Sequence, residues 1–506
     1  MKANPLMISA PLAVFFLLAL GACAVGPDYQ KPEMQVPTAY KEQQGVWKPA
    51  SPKTADAGPW WSIYNDPVLD GLMKQVSISN QNLKAAEAAY REAHALADAA
   101  RAGLFPTVGV DTSATRSASG SPSKAANRFA LSASASWEPD IWGNIRRNME
   151  SAEASAQASA ADLAAARLSA QADLATDYFD LRVQDEQKRL LDETTEGYQD
   201  SLKITQNQYK AGIVAKADVM QAETQLKSAQ ANAINLGIHR AQLEHAIAVL
   251  TGKAPAEFSI EATKADAVIP DVPIEMPSLL LERRPDIAAA ERQVAADNAQ
   301  IGVAIGAFFP DITLSASYGF ASAALSTLLK SASNVWSVGP ALALTLFDGG
   351  ARSAQVDVAR ARYDQSVATY RQTVLTSFQD VEDQLASSRI LAQQATAENE
   401  TVKSAEEAEK LTRNQYKAGI VPYTTVVVAE AASLSNQQSA LNIRRDRLLA
   451  SVSLIRALGG GWDVKNLEAE ATAAQAAPRE AIPTPAGVVT TAPASSSHES
   501  FFDRLF

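Results

Sequence analysis

Two hydrophobic patterns alternate along this chain. Strict apolar/polar alternation, the period-two mark of a strand with two different faces, appears in four short stretches. In one of them Ile312, Leu314, Ala316, Tyr318 and Phe320 share a face, opposite Asp311, Thr313, Ser315, Ser317 and Gly319. The next sets Trp336, Val338, Leu342, Leu344 and Leu346 against Ser337, Gly339, Ala341, Ala343 and Thr345. Upstream, Phe129, Leu131, Ala133, Ala135 and Trp137 oppose Ala130, Ser132, Ser134 and Ser136, and Thr107 to Thr115 carries the weakest alternation. Pro106 and Pro310 precede two of these stretches and fit the start of a strand, where no ladder donor is lost.

Between the strands the pattern is helical. From Ile141 to about Lys210, and from about Ala351 to Lys417, Ala, Gln, Glu, Leu and Arg dominate with no internal proline, the composition of long packed helices. About 70 residues at 1.5 Å each extend roughly 100 Å. The return helices, about Ala215 to Leu250 and Thr424 to Leu458, have half that length. Pro67 to Gly103 and Pro285 to Ala307 supply the missing half if each stacks end to end on a return helix. Asp66-Pro67 and Arg284-Pro285 read as helix starts, and Gly459-Gly460-Gly461 as a stop.

The order of elements is written twice. NQYKAGIV occupies residues 207–214 and again 414–421, and AGLFPTVGV at 102–110 aligns with GAFFPDITL at 306–314. Outside the octapeptide, Val219, Ala222 and Glu223 match Val426, Ala429 and Glu430. Residues 66–260 form a first repeat of helix, two strands, long helix and return helix; 261–283 form an equatorial connector, and 284–465 a second repeat.

Strands of about 10 residues with a small polar face, an apolar opposite face and aromatic ends fit a membrane barrel better than a sandwich. Four strands cannot close a barrel, and open edges in lipid leave backbone groups unpaired. Closure then requires assembly, two copies giving eight strands or three giving twelve. The reading is an α+β membrane protein.

The first 22 residues, with Lys2, an apolar run from Leu6 to Leu20 and small residues before Cys23, read as a signal peptide too short to span a membrane. Leu20-Gly21-Ala22-Cys23 resembles the lipobox of bacterial lipoproteins, which makes Cys23, the only cysteine, an acylation site and residues 23–65 a lipid-anchored extended segment. Ala24 in place of Asp points to the outer membrane. Cleavage removes Lys2 from a net charge of −11 and leaves −12, with no electrostatic footprint for nucleic acid. Residues 466–506, rich in Ala, Pro, Ser and Thr, read as a disordered tail.

Enzyme chemistry finds no constellation here. His94, His239, His245 and His498 form no HExxH pair, and no nucleophile elbow, Walker loop or cysteine pair appears. Neither a metal nor another cofactor is called for.

Six motifs in order, CAVGPDY at 23–29, WW with NDPVLD at 60–70, RRPDI at 283–287, LFDGG at 346–350, the twin YKAGIV turns and LGGGW at 458–462, resemble the outer membrane factors, the TolC-type ducts, and among them the NodT-type efflux lipoproteins. The resemblance implies a homotrimer with a 12-stranded barrel in outer-membrane lipid, a helical tunnel through the periplasm, a periplasmic adaptor (membrane fusion protein) and an inner-membrane pump of the resistance-nodulation-division (RND) type. It implies efflux of drugs, toxic compounds or metal ions, with type I protein or peptide secretion as the alternative. Tyr209, Gly212, Ile213, Tyr416, Gly419 and Ile420 would meet the adaptor at the tips. Phe129, Leu131, Trp137, Leu314, Tyr318, Phe320, Trp336, Leu342 and Leu344 would face lipid. The family often closes its tunnel with aspartates nine or twelve residues after the second turn tyrosine. Those positions hold Thr425 and Val428 here, so the gate candidates are Asp218 from the first repeat, Tyr423, Thr425 and Val428.

Overall fold

The computed structural model describes residues 24–42, 59–118, 125–263, 268–270, 272 and 277–464. The signal peptide, Cys23, the tail from 466 and parts of the anchored segment and connector lie outside the described residues.

The first repeat begins with a capped helix. Asp66 accepts hydrogen bonds from the backbone N–H of Val68 and Leu69 at 2.9 and 3.1 Å, with Pro67 at the first helical position, and so starts α1 (Pro67–Ser79). The sequence pattern predicts one helix from Pro67 to Gly103; the chain instead breaks at Asn80. Asn80 has an extended backbone, ends α1 and caps α2 (Gln81–Ala102) through its side-chain oxygen. Strands β1 (Thr107–Ser117) and β2 (Ala126–Trp137) follow, then α3 (Asn144–Lys210) and the return helix α4 (Lys216–Leu250). After the short α5 (Leu280–Arg283), the second repeat runs through α6 (Pro285–Gly306), β3 (Asp311–Ser322), β4 (Asn334–Ala343), α7 (Ala351–Lys417) and α8 (Tyr423–Ala457). The two long helices have 67 residues each, the return helices 35 each, and α2 and α6 22 each.

The expected end-to-end stacking is built by two polar side chains. Asn80 at the head of α2 donates its amide N–H to the carbonyl of Leu250 at the end of α4, 2.9 Å away. Arg284 at the head of α6 donates to the carbonyl of Ala457 at the end of α8, 3.1 Å away. Each bond satisfies a carbonyl that a helix end leaves unpaired. Packing then orders four columns side by side: α2 on α4, α3, α6 on α8, and α7. The largest apolar core lies at the level of these joints, where Tyr64, Leu69, Met73, Leu174, Tyr178, Phe179, Ile247 and Val452 close against one another.

The strands form one antiparallel sheet in the order β1-β2-β3-β4. Strand–helix junctions are held by tryptophans: Trp137 Nε1 donates to the Leu104 carbonyl and Trp142 Nε1 to the Pro310 carbonyl, at 2.9 and 2.8 Å. Asp140 and Asp348 take the first backbone N–H groups of α3 and α7, and each pairs with an arginine, Arg146 or Arg352. The alternation predicts that β4 continues to Leu346, but the strand stops at Ala343, because its partner β3 begins at Asp311 and offers nothing beyond. Leu344 therefore follows the strand.

Among the described residues no helix is long and apolar enough to cross a membrane. Because Asn80 serves two helix ends and is buried, Asn80→Ala removes a cap and a buried hydrogen bond; it should cost about 1–3 kcal/mol. A thermal melt against the neighbouring exposed Gln81→Ala, which should be close to neutral, checks this.

Candidate functional site

The strand register decides which side chains share a face. Phe129, Leu131, Ala133, Ala135 and Trp137 of β2 lie opposite Ser322, Phe320, Tyr318, Ala316 and Leu314 of β3, and Leu314, Ala316, Tyr318 and Phe320 lie opposite Pro340, Val338, Trp336 and Asn334 of β4. Ile312 pairs with Leu342. The other face carries Ser132, Ser134 and Ser136 beside Gly319, Ser317 and Ser315, and these beside Val335, Ser337 and Gly339. Phe129, Leu131, Trp137, Leu314, Tyr318, Phe320, Trp336 and Leu342 thus fall on one face of the sheet. Val108 and Val110 of β1 join them through their partners Ala135 and Ala133. They were missing from the expected set because alternation in β1 is diluted by Thr and Gly, although the Val-x-Val spacing was there to find. Trp336 is 71% exposed, and Val108, Val110, Val338 and Leu342 are also exposed. A contiguous open apolar face of this kind marks an interaction surface rather than a soluble exterior.

At the far end of the columns the two YKAGIV turns have the same backbone. In each, glycine adopts a φ of 73°, Gly212 or Gly419, and the following isoleucine N–H returns to a carbonyl five residues back at 2.9 Å, Ile213 to Gln208 and Ile420 to Gln415. This is the glycine-terminated helix end in which positive φ avoids a Cβ penalty. Ile213 and Ile420 are both exposed. The tyrosines differ. Tyr209 is 45% exposed, whereas Tyr416 is 4% exposed, packs its ring 5.3 Å from that of Tyr423 and shares a 3.0 Å hydrogen bond with Thr205.

Of the gate candidates, Asp218 is half-buried and accepts the Ala215 backbone N–H at 3.2 Å, closing the first turn of α4. Thr425 and Val428 are exposed, Val428 by 69%. Tyr423 points the other way, into the protomer, buried with Tyr416, Val426 and Ala222. Burial raises its phenol pKa, and its hydroxyl has no hydrogen-bond partner among the described residues.

Sequence reasoning missed Glu430. It is 2% exposed and accepts from Ser201 Oγ of α3 at 3.1 Å, Gln225 Nε2 of α4 at 3.2 Å and Arg413 Nη2 of α7 at 3.1 Å, so one carboxylate of α8 ties all four tip helices. Its repeat partner Glu223 is exposed, so the repeat itself hides the difference. Burial pushes the Glu430 carboxyl above the ordinary glutamate value, against the pull of Arg413. On its barrel side a crevice of about 790 Å³ opens between α3, α7 and α8, with Glu193, Tyr198, Arg413, Ser433 and Arg444 in its wall. Among the described residues no group of His, Cys, Asp or Glu is placed to hold a metal.

The family model described as outer membrane efflux protein matches residues 72–253 and 276–460, one stretch in each repeat. The chain belongs to the outer membrane efflux protein family. This efflux protein is 33% identical over 468 residues to the solvent efflux pump outer membrane protein SrpC of Pseudomonas putida, a match covering 90% of this chain and 98% of the relative. It is 29% identical over 449 residues to the cation efflux system protein CusC of Escherichia coli O6:H1, covering 88% and 97%. Among solved structures, the outer-membrane channel OprN superposes with a TM-score of 0.81 at 29% identity, covering 87% of this chain and all of that one. The efflux protein is an outer-membrane channel protein and no enzyme, and its helical columns extend into the periplasm.

Because the pKa of Glu430 is raised in the folded state, its contribution to stability is present in full below the unfolded value near 4.5 and is lost as pH rises through the folded value. On going from about pH 7 to about pH 5 the unmodified protein should therefore gain more thermal stability than Glu430→Gln, whose amide does not titrate. Equal gains would mean that Glu430 is solvated.

Proposed function

We propose that the chain is the passive outer-membrane duct of a tripartite efflux system, anchored by an acylated Cys23 and working as a homotrimer. The carrying observation is the sheet with one open apolar and one small polar face, continuous with helical columns of roughly 100 Å. Three copies would supply twelve strands, the apolar face toward lipid and the serine face toward water. Substrates would be small molecules of the kinds pumped by systems named for solvents and cations, driven by an inner-membrane RND-type pump through a periplasmic adaptor. The adaptor would meet the two turns at Tyr209, Gly212, Ile213, Gly419 and Ile420. Tyr416, at 4% exposure, would shape its turn from beneath instead of touching the partner.

For the resting gate, the exposed side chains Thr425 and Val428 are the better candidates, since Tyr423 is committed inside the protomer. A ring of valines blocks ions by dewetting, whereas a carboxylate ring attracts cations. Asp218 keeps a carboxylate near the tip but is engaged in capping its own helix.

Two experiments test the reading. A charge on the lipid face, Leu342→Arg, should cost about 2–4 kcal/mol and reduce the amount of assembled channel in the membrane, while Ser315→Arg on the serine face should assemble normally. Equal damage from both would contradict the assigned faces. In single-channel recordings Val428→Ser should increase leak, and Val428→Asp should introduce block by divalent cations on the periplasmic side. Strong cation block of the unmodified channel would return the gate to Asp218 or another carboxylate.

A further inference from the structure

Residues 24–29 are held by backbone and side-chain groups at the start of α3 and along α6, away from the tips. The Val25 N–H donates to the Trp142 carbonyl at 3.0 Å. Arg147, 5% exposed, donates to the carbonyls of Val25 and Gly26 at 3.2 and 3.3 Å, to the Asp28 carboxylate at 2.7 Å and to Glu150 at 2.8 Å. From α6, Asn298 donates its amide N–H to the Pro27 carbonyl at 3.0 Å. The Tyr29 hydroxyl donates to Glu291, the Arg292 guanidinium lies 5.7 Å from the center of its ring, and the ring packs beside Ala154, Ala295 and Ala296. Gly26, at a φ of +103°, passes so close to Gly302 of α6 that a Cβ on it would lie 2.4 Å from the Gly302 Cα; a Cβ on Gly302 would lie 2.8 Å from the Val25 carbonyl oxygen and 2.9 Å from Arg147.

We infer that the junction before α3 together with the flank of α6 forms a binding slot for the chain's own mature N-terminal segment, an extended peptide of the sequence Ala-Val-Gly-Pro-Asp-Tyr. A buried guanidinium is costly without acceptors, and the docked segment supplies three of those Arg147 uses. Glycine weakens a helix interior, and at Gly302 its missing Cβ leaves the room that the crossing segment and Arg147 occupy. The occupant joins the two repeats, since Trp142 and Arg147 belong to the first and Glu291, Asn298 and Gly302 to the second. It then continues along α7, where Tyr40 is buried beside Tyr370 and Val374, and where the backbone N–H groups of Lys41 and Glu42 donate to Glu382 at 2.7 and 3.0 Å. The slot also fixes where an anchor sits: Ala24 abuts Gly143 at the strand–helix junction. This consequence rests on the acylation of Cys23 proposed above; the slot itself does not.

The test uses the full mature chain and limited chymotrypsin digestion at the Tyr29–Gln30 bond, whose tyrosine ring is packed away in the docked segment. Arg147→Gln and Gly302→Ala should each speed cleavage after Tyr29 about tenfold, as expected when the population of the undocked segment rises. Gly302→Ala should also lower the melting temperature, although alanine is the better helix former. Gly71→Ala, at a helical glycine where a Cβ meets nothing within 4 Å, should raise it. If Gly302→Ala instead raises the melting temperature as Gly71→Ala does and leaves cleavage after Tyr29 unchanged, the slot is overturned. A mature N-terminus that carries no lipid by mass spectrometry would overturn the anchor and leave the cleavage result standing.

Discussion

A four-stranded sheet with two unpaired edges cannot sit in lipid, and much of the molecule is arranged around that constraint. β1 and β4 lie at the two ends of the sheet. Their outward N–H and C=O groups have no water to turn to in a hydrocarbon layer, so they must find one another across copies of the chain. The helical part has the same open-ended logic. Its outer columns expose large apolar side chains, Leu96, Ile234 and Ile238 on one side and Leu375, Ile390 and Leu411 on the other. The two inner columns, α3 and the pair α6 on α8, are by contrast more extensively buried. Sheet and columns thus leave their edges bare on the same two flanks of the protomer.

Between membrane and tip the protein needs a stiff shaft, which it makes by splicing shorter helices. Asn80 and Arg284 do the same work in the two repeats with different chemistry, each feeding a donor to the last carbonyls of a return helix. Arg284 adds ion pairs to Asp286 at 2.6 Å and Asp380 at 3.2 Å, which tie its joint to α7 as well. The repeats diverge most where they look most alike. Both turns share a backbone to within the same φ, yet Tyr416 and Glu430 are buried among neighbours while Tyr209 and Glu223 are open. That asymmetry gives the two hairpins different attachments, the second being tied inward through the Glu430 carboxylate.

Periodic features were legible in the sequence. Strand faces follow from alternation, helix lengths from composition and proline placement, and the two-part organization from a repeated octapeptide. What escaped depends on neighbours distant in sequence. Asn80 sits in a helix-forming window, and only the end of α4 beside it explains the break. The end of β4 is set by where β3 begins. Tyr423 and Glu430 are polar residues near an exposed tip, and only the packing of four helices shows that both face inward. Arg147 looks like one of many arginines on a long helix until the N-terminal segment is laid across it.

The central claim is that the unpaired strand edges are completed by other copies of the same chain. Native mass spectrometry of the protein released from lipid nanodiscs tests it most directly. The account predicts particles of three chains, giving twelve strands from four per chain. A folded, membrane-inserted particle containing one chain would contradict it.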